Sequence, residues 1–173
     1  MNYIPLTILR FGNEEQRKFF LPRIKNGEIL FFLGYTESEA GSDLANVQTR
    51  AIPNGNDFII NGEKLFATQA RHADYGWILA RTNTSVAKHK GLSLFIVDMK
   101  SPGITISGYP TISGWIHDAV SFQDVRVPKG NLVGELNHGW YEAMSAIDWE
   151  RAGIGNAGTV LANFDRLVAY CKQ

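Results

Sequence analysis

The segment FIINGEKLF, residues 58–66, sets an Asn-Gly pair between two short runs rich in strand-forming residues. Asn-Gly is typical of a two-residue hairpin turn, because that turn needs a positive φ at both central residues. We therefore predict a turn at Asn61-Gly62 that pairs the strand Phe58–Asn61 with the strand Lys64–Gln69. Such a hairpin indicates an antiparallel sheet at the centre of the fold.

Further short runs of β-branched and aromatic residues lie on both sides of this segment, between turn signals at Pro53-Asn54-Gly55 and Ser101-Pro102-Gly103. No long helical pattern separates them, which argues against a parallel sheet with crossover helices and favours an antiparallel sandwich or barrel. The other predicted strands are Phe31–Thr36, Val47–Ile52, Trp77–Arg81, Leu92–Asp98, Ile104–Ser107 and Ala119–Val125.

Helical patterns flank the predicted strands. Asn13 followed by Gln16 resembles a capping box, and Pro22 predicts a break in the helix that follows it. From about residue 138 onward, apolar residues recur at helical spacing, and some 35 residues would form a rod of roughly 50 Å. We expect an α+β fold in which residues 31–135 form a β domain. Residues 1–30 would be the remnant of an N-terminal helical domain, and residues 136–173 the first long helix of a C-terminal helical domain.

Composition excludes several classes of function. The 173 residues carry 17 basic and 17 acidic side chains, so the driving force for binding nucleic acid is missing. The single cysteine, Cys171, excludes a disulfide framework and a Cys-rich zinc site. No apolar run reaches the ~20 residues that span a bilayer, and the N-terminus lacks the features of a signal peptide. We expect no membrane partner and a cytoplasmic location, or the mitochondrial matrix if the source is eukaryotic.

Two short motifs have the composition of a ligand site. The loop Gly34–Asp43 offers hydroxyl and backbone N–H groups, which suit a polar cofactor edge or a phosphate. Its Ser and Asp are equally consistent with a helix cap. The run Phe66-Ala67-Thr68 sets an aromatic ring beside a hydroxyl, which suits a flat heterocycle, although such a pattern is more often part of a core.

Other signals have a preferred structural interpretation. Gly153–Gly158 fits the pattern G-x-G-x-x-G but lies inside a predicted helix, so we interpret it as a face of small residues that admits a neighbouring helix. Lys88–Lys90 is interpreted as a solvated hairpin tip, with a phosphate contact as the alternative. Asp148 and Arg151, on one helix face with Tyr141, are normally a surface ion pair. No metal site is predicted, because no helical spacing links the histidines His72, His89, His117 and His138.

Taken in order along the chain, five motifs resemble those of the acyl-CoA dehydrogenase family. They cover nearly the whole chain at family-like spacing. The motifs are YTESEAGSD (residues 35–43), INGEKLFAT (60–68), KGLSLFIV (90–97), FQDVRVP (122–128) and IDWER (147–151).

The resemblance implies that the chain binds FAD and an acyl-CoA thioester, forms a homo-oligomer, and passes electrons to an acceptor such as an electron-transfer flavoprotein. It implies flavin contacts from Leu33, Tyr35, Thr36, Gly41, Ser42, Phe66, Ala67 and Thr68. Phe66 stands where many members of the family have Trp, and the Thr68 hydroxyl would approach flavin N5. Acyl-CoA contacts are implied for Ser42, Tyr141, Asp148, Glu150 and Arg151, and the basic loop with His89 is loosely similar to a CoA contact.

The reaction implied by the resemblance is α,β-desaturation, in which a carboxylate takes the α proton and hydride leaves the β carbon. In most members of the family, the glutamate that takes the α proton lies farther along the chain than this sequence extends. A minority, including isovaleryl-type enzymes, place it where Glu150 stands; the alternative is a helix-surface carboxylate beside Arg151. Two other interpretations stay open: a truncated, non-catalytic ligand-binding or assembly chain, and a flavin oxidase or monooxygenase on the same scaffold.

Overall fold

A computed structural model describes residues 3–153 and 157–172. The described chain begins with two helices, continues with eight strands and ends with two helices, and short 3-10 turns link several strands. The helices are α1 (Tyr3–Phe11), α2 (Glu14–Lys25), α3 (Gly139–Gly153) and α4 (Ala157–Cys171). The strands are β1 (Phe31–Gly34), β2 (Arg50–Asn54), β3 (Asp57–Thr68), β4 (Tyr75–Arg81), β5 (Leu92–Asp98), β6 (Ile104–Pro110), β7 (Ile116–Pro128) and β8 (Leu132–Val133).

The strands form one mixed, open sheet in the order β6-β7-β3-β2-β4-β5-β8, and β1 pairs with β4 outside that path. The predicted α+β class and the largely antiparallel architecture are confirmed. Two pairings depart from it, because β1 and β2 both run parallel to β4. The connection from β1 to β4 contains the β2–β3 hairpin, so a parallel pairing arises here without a crossover helix.

The predicted hairpin turn at Asn61-Gly62 is wrong. Both residues lie inside β3, a single strand of 12 residues whose register against β7 shifts between Ile60 and Gly62, as in a β-bulge. Gly62 has a φ of +148°, and a Cβ there would lie 2.6 Å from the Thr49 Cα. A bulge and a hairpin turn both require residues that tolerate positive φ, which is why the same pair suits either. The turn that does join β2 to β3 follows the predicted Pro53-Asn54-Gly55 signal, with Asn54 opposite Asp57.

The N-terminal helices follow the sequence signals in part. The capping box is confirmed, since Gln16 N–H donates to the Asn13 side chain at 2.8 Å and Asn13 N–H donates to the Gln16 side chain at 3.1 Å. The predicted break at Pro22 is wrong, because α2 continues through Pro22 to Lys25. Phe20 is buried in edge-to-face contact with Phe31 and with Tyr75, and this packing fixes α2 against the sheet despite the proline.

The sheet carries an apolar core on each face. Along β4, Trp77 and Leu79 belong to one buried cluster, and the alternating Ile78 and Ala80 belong to the other. The first cluster is covered by α1 and α3, and the second is enclosed by β3, β5 and β7. The helices α1 and α3 are therefore held on the face opposite the interior of the curved sheet.

The C-terminal helical region is described as two helices, α3 and α4. The predicted face of small residues falls between them, and residues 154–156 of it lie outside the described residues. Several large apolar side chains of α4 are exposed: Val160, Leu161, Phe164, Leu167 and Tyr170. Among the described helices, none is long and apolar enough to cross a membrane.

Candidate functional site

The two ligand-like motifs lie side by side where β1 and β3 end. The Leu65 N–H donates a hydrogen bond of 2.8 Å to the Thr36 carbonyl. Because β1 and β2 are both parallel to β4, and β2 is antiparallel to β3, the strands β1 and β3 run in opposite directions. The segment Leu33–Thr36 therefore lies alongside Leu65–Thr68, which is the juxtaposition that a single site requires.

A buried ion pair lies behind this junction. Lys64 is fully buried, and its Nζ lies 2.6 Å from Glu37 Oε1, 2.7 Å from the Leu79 carbonyl and 3.3 Å from the Tyr35 carbonyl. Burial lowers the pKa of Lys64 to about 8, against the opposing effect of the Glu37 charge. Burial alone would raise the pKa of Glu37, but the Lys64 charge and hydrogen bonds hold it below its ordinary value.

The Phe66 ring is presented to solvent near the end of β3, where the register against β7 shifts between Lys64 and Ala67 as in a β-bulge. Phe66 has a φ of +54°, and 60% of its side chain is exposed. Its N–H donates to the Tyr109 hydroxyl at 2.9 Å, and the two rings meet edge to face with centroids 5.9 Å apart. Tyr109 in turn stacks on the His117 ring. An aromatic residue at positive φ is unfavourable by itself, so these contacts select the conformation that exposes the ring.

A second buried carboxylate fixes the segment that follows Thr68. Asp118 of β7 is fully buried and accepts from Arg71 through the side chain at 2.6 and 2.9 Å and through the backbone N–H at 3.1 Å. Beside it, a cavity of about 380 Å³ separates the residues Gln69–His72 from the hairpin tip Ser113–Ile116. Burial would raise the pKa of Asp118, but the Arg71 contacts hold it below its ordinary value.

The loop that contains Gly41 and Ser42 is exposed and lies beside the basic loop. An ion pair joins the Asp43 carboxylate to the Lys88 ammonium. The Arg81 guanidinium links the two loops further, because it donates to the carbonyls of Ala45 and Lys88 at 2.6 and 3.0 Å. The exposed Ser42 hydroxyl and the basic loop thus face solvent on adjoining segments, as a ligand with a phosphate arm would require.

The candidate residues of α3 are exposed on two sides of the helix, because Tyr141, Asp148 and Arg151 share one side and Glu150 lies on the other. Tyr141, Asp148, Glu150 and Arg151 are all exposed. Burial and, next, the charge of Glu150 raise the pKa of Tyr3 in α1 to about 12. The structure therefore gathers these four residues on one helix but leaves Glu150 in water.

Sequence reasoning missed a buried carboxyl on the same helix. Glu142 is 2% exposed, and burial raises its pKa to about 7, helped by the charge of Glu135. One of its oxygens accepts from the Glu135 N–H at 3.2 Å, and the other has no partner within the described residues. It lines a cavity of about 380 Å³ with Arg10 and His138.

Sequence reasoning also passed over other residues that shape the site: Lys64, Tyr109, Arg71 and Asp118. The signal that could have found two of them is a charged residue that alternates with buried apolar residues of its strand. Lys64 falls in step with Phe58 and Ile60, and Asp118 with Val120 and Phe122.

The residues on the sheet side suit a flat aromatic heterocycle with a polar edge. The exposed Phe66 ring offers an apolar face, and the exposed Thr68 and half-buried Thr36 offer hydroxyls on adjoining segments. This combination of ring face, hydroxyls and backbone groups matches the donor set that a flavin ring needs. Within residues 3–153 and 157–172, no group of three or more His, Cys, Asp or Glu side chains could hold a metal ion.

Comparisons with known proteins agree with this geometry. The family described as "Acyl-CoA dehydrogenase, middle domain" matches residues 33–125. The chain is 44% identical to acyl-CoA dehydrogenase FadE29 of Mycobacterium tuberculosis, over 96% of this chain and 43% of that protein. It is 35% identical to the caffeyl-CoA reductase-Etf complex subunit CarC of Acetobacterium woodii, over 96% of this chain and 45% of that protein.

A solved structure is similar over the same length. The Tcur3481-Tcur3483 steroid ACAD superposes with a TM-score of 0.92 and 38% identity, over 99% of this chain and 45% of that chain. The chain thus spans less than half the length of the relatives it matches. With the family match covering more than half of its residues, the chain belongs to the acyl-CoA dehydrogenase family.

Proposed function

We propose that this chain supplies the FAD-binding side, and part of the acyl-CoA-binding side, of an enzyme that desaturates an acyl-CoA thioester between its α and β carbons. The observation that carries the proposal is the junction of Thr36 with Leu65, which brings the segments Leu33–Thr36 and Phe66–Thr68 together beside an exposed aromatic ring. Family membership supports the same reaction class.

On the sheet side, we assign the flavin contacts to the segments that meet at this junction and to the exposed loop after it. Backbone groups of Leu33, Tyr35 and Thr36 would bind the polar edge of the ring, and Gly41 and Ser42 would lie toward its phosphate arm. Phe66 would lie against the ring with Ala67, and the Thr68 hydroxyl would approach N5. When bound, the flavin accepts the hydride that leaves the substrate β carbon.

On the helix side, we assign the thioester contacts to Ser42 and to the exposed side chains of α3: Tyr141, Asp148, Glu150 and Arg151. Glu150 would take the α proton onto a carboxylate oxygen, while the electrons of that C–H bond form the new double bond. An α C–H bond is a feeble acid, so the carboxylate must lose water before it becomes an adequate base. Glu150 is exposed in the described chain, and the bound thioester would have to supply that desolvation.

The partners and boundaries follow from the same assignment. We propose an electron-transfer flavoprotein as the electron acceptor, a choice supported by the name of the relative CarC, which is a subunit of a complex with such a protein. We propose a homo-oligomer, in which α4 packs its exposed apolar residues against further helices. Residues 31–135 would be the ligand-binding β domain, flanked by parts of two helical domains at residues 1–30 and 136–173, in a protein of the cytoplasm or mitochondrial matrix.

The test is a titration with FAD followed by anaerobic addition of acyl-CoA, monitored by the visible flavin spectrum. The proposal predicts saturable binding and bleaching of the oxidised flavin by acyl-CoA. If the protein does not bind FAD, the chain is a non-catalytic binding or assembly protein. If FAD binds and reduced flavin rapidly produces peroxide in air, the protein is an oxidase.

A further inference from the structure

We infer that Lys64 is a positioning residue: its buried ammonium fixes the backbone of Tyr35–Glu37, and through it the polar edge of the flavin site. The inference rests on the proposed function for the identity of the ligand. It adds a residue that the resemblance did not assign, since the implied flavin contacts include Phe66, Ala67 and Thr68 on β3 but not Lys64.

All three N–H groups of the Lys64 ammonium have a hydrogen-bond acceptor. An ammonium has three N–H donors, and Lys64 directs them to Glu37 Oε1, the Leu79 carbonyl and the Tyr35 carbonyl, at 2.6, 2.7 and 3.3 Å. The acceptors belong to two parts of the chain, the segment Tyr35–Glu37 and β4, and Lys64 itself, on β3, is a third part. A fully buried cation is costly unless it is paired and fully hydrogen-bonded, and this one is.

The residues that follow β1 lie beyond the end of its pairing with β4. The pairing of β1 with β4 ends at Gly34 opposite Ile78, so the residues that follow are not aligned by that ladder. Two contacts from neighbouring residues of β3 take over: Lys64 Nζ donates to the Tyr35 carbonyl, and Leu65 N–H donates to the Thr36 carbonyl. The conformation of this edge is therefore set by Lys64 and Leu65.

Glu37, which pairs with Lys64, is itself held by the residues that precede β2. Its carboxylate accepts from the Gln48 N–H at 2.6 Å and from the Thr49 N–H at 3.1 Å. Its backbone pairs with Ala40 in both directions, at 3.0 and 3.2 Å. Lys64 and Glu37 thus tie the segment Tyr35–Glu37 to β3, to β4 and to Gln48 and Thr49, which precede β2.

The inference separates positioning from stability, because a buried ion pair can often be replaced by uncharged residues without loss of stability. The decisive variant is the double change Lys64→Met with Glu37→Gln, which removes both charges and leaves neither one unpaired. The matched control is Arg126→Met with Asp57→Asn, which removes an ion pair of 2.8 Å between β7 and β3 near the opposite end of β3.

Three quantities are measured for the wild type and both double variants: the melting temperature without FAD, the dissociation constant for FAD, and the visible spectrum of the bound flavin. We expect the Lys64/Glu37 variant to bind FAD at least about tenfold more weakly. The reason is that the backbone groups of Tyr35–Glu37 would no longer be aligned to hydrogen-bond the flavin. Its bound flavin should have an altered spectrum, which a purely structural role would not produce. The control should match the wild type in affinity and spectrum.

Unchanged affinity and spectrum in a folded Lys64/Glu37 variant would overturn the inference while leaving the proposed function intact. Failure of the wild type to bind FAD would overturn the proposed function instead. Should the double variant not fold, the single change Glu37→Asp decides, because it keeps a negative charge for Lys64 but draws the carboxylate back from the Gln48 and Thr49 N–H groups. In that variant the inference predicts at least about threefold weaker FAD binding, and unchanged binding would overturn it.

Discussion

On the sheet side of the candidate site, three parts of the chain converge on a buried ammonium, whereas on the helix side the four candidate residues lie in water on α3. The sheet side is fixed by contacts within the described chain before any ligand arrives. The helix side gains a low-dielectric environment only when something covers it. The two sides should therefore respond to mutation differently, the sheet side in stability and binding and the helix side in rate.

The largest effect is expected for Glu150→Gln in the flavin-loaded protein. If Glu150 is the base, flavin reduction by acyl-CoA should slow by a factor on the order of a thousand, within the range for loss of a general base. FAD binding and melting temperature should stay unchanged, because the Glu150 side chain is exposed. Stopped-flow reduction under anaerobic conditions measures the rate.

A matched control for this change is Glu14→Gln, at an exposed carboxylate on α2 that pairs with Lys18. It should leave the rate of reduction at the wild-type value. If Glu150→Gln also retains the wild-type rate, the base lies elsewhere, and the helix side of the comparison loses its catalytic role.

Lys64→Met alone should cause the largest loss of stability on the sheet side. It leaves the Glu37 carboxylate buried without its cation, and breaking a buried pair in this way costs about 3–5 kcal/mol. Arg126→Met breaks a pair in which the Arg126 side chain is 63% exposed, and should cost about 1 kcal/mol or less. Unfolding by denaturant measures both, and similar losses in the two variants would contradict the contrast between buried and exposed charge.

Features of the fold could be predicted from the sequence where residues close together in the chain determine them, and not where distant residues do. The capping box at Asn13 and most strands were predictable, because spacing within a few residues determines them. The Asn61-Gly62 bulge was not, since positive φ suits both a bulge and a turn, and only the pairing with β7 decides between them. Lys64 was missed because its burial depends on Glu37, 27 residues away in the sequence.

The site was predictable to a similar degree. Motif similarity gave the segments Leu33–Thr36 and Phe66–Thr68, and the bond between Thr36 and Leu65 then explains why they meet. Similarity could not give the environment of the carboxylates on α3. Glu142 and Glu150 lie eight positions apart in the sequence, yet packing buries the first and leaves the second exposed.

That difference between Glu142 and Glu150 can be tested by pH. The pKa of Glu142 is about 7 in the folded protein against an ordinary value of 4.5, so the folded state binds the proton more tightly than the unfolded state. Below pH 4.5 both states are protonated and Glu142 costs nothing. Between pH 4.5 and 7 the unfolded state loses this proton while the folded state keeps it, so the free energy of unfolding should fall as the pH rises. The total loss is up to about 3 kcal/mol and is complete once the buried group itself ionises above pH 7.

Glu142→Gln removes this titration and is the matched variant. The unfolding free energies of wild type and variant are measured by denaturant at intervals from pH 5 to 8. As the pH rises, the stability of the wild type should fall relative to that of the variant. Arg10 lines the same cavity, and its positive charge would oppose the trend. A difference that does not change with pH would mean that Glu142 is as well solvated as the exposed carboxylates of α3.

The smallest effect is expected for Tyr109→Phe, which tests whether the exposed ring of the sheet side is held in place. The change removes the hydroxyl that accepts from the Phe66 N–H at 2.9 Å and keeps the edge-to-face contact between the rings. Loss of one such hydrogen bond costs about 1 kcal/mol. Tyr170→Phe, at an exposed position of α4, should cost nothing measurable.

The Tyr109→Phe variant also shows whether the position of the Phe66 ring beside the bound flavin depends on the Tyr109 hydroxyl. Phe66 keeps its φ of +54° only while its surroundings favour it, so releasing its N–H should let the ring move. Protein fluorescence does not report on Phe66, but the visible absorption spectrum of the bound flavin responds to the ring that lies against it. A Tyr109→Phe protein that loses stability but keeps the wild-type spectrum of the bound flavin would show that sheet packing alone orients Phe66. The sheet side would then depend on fewer polar contacts than the Lys64 cluster suggests.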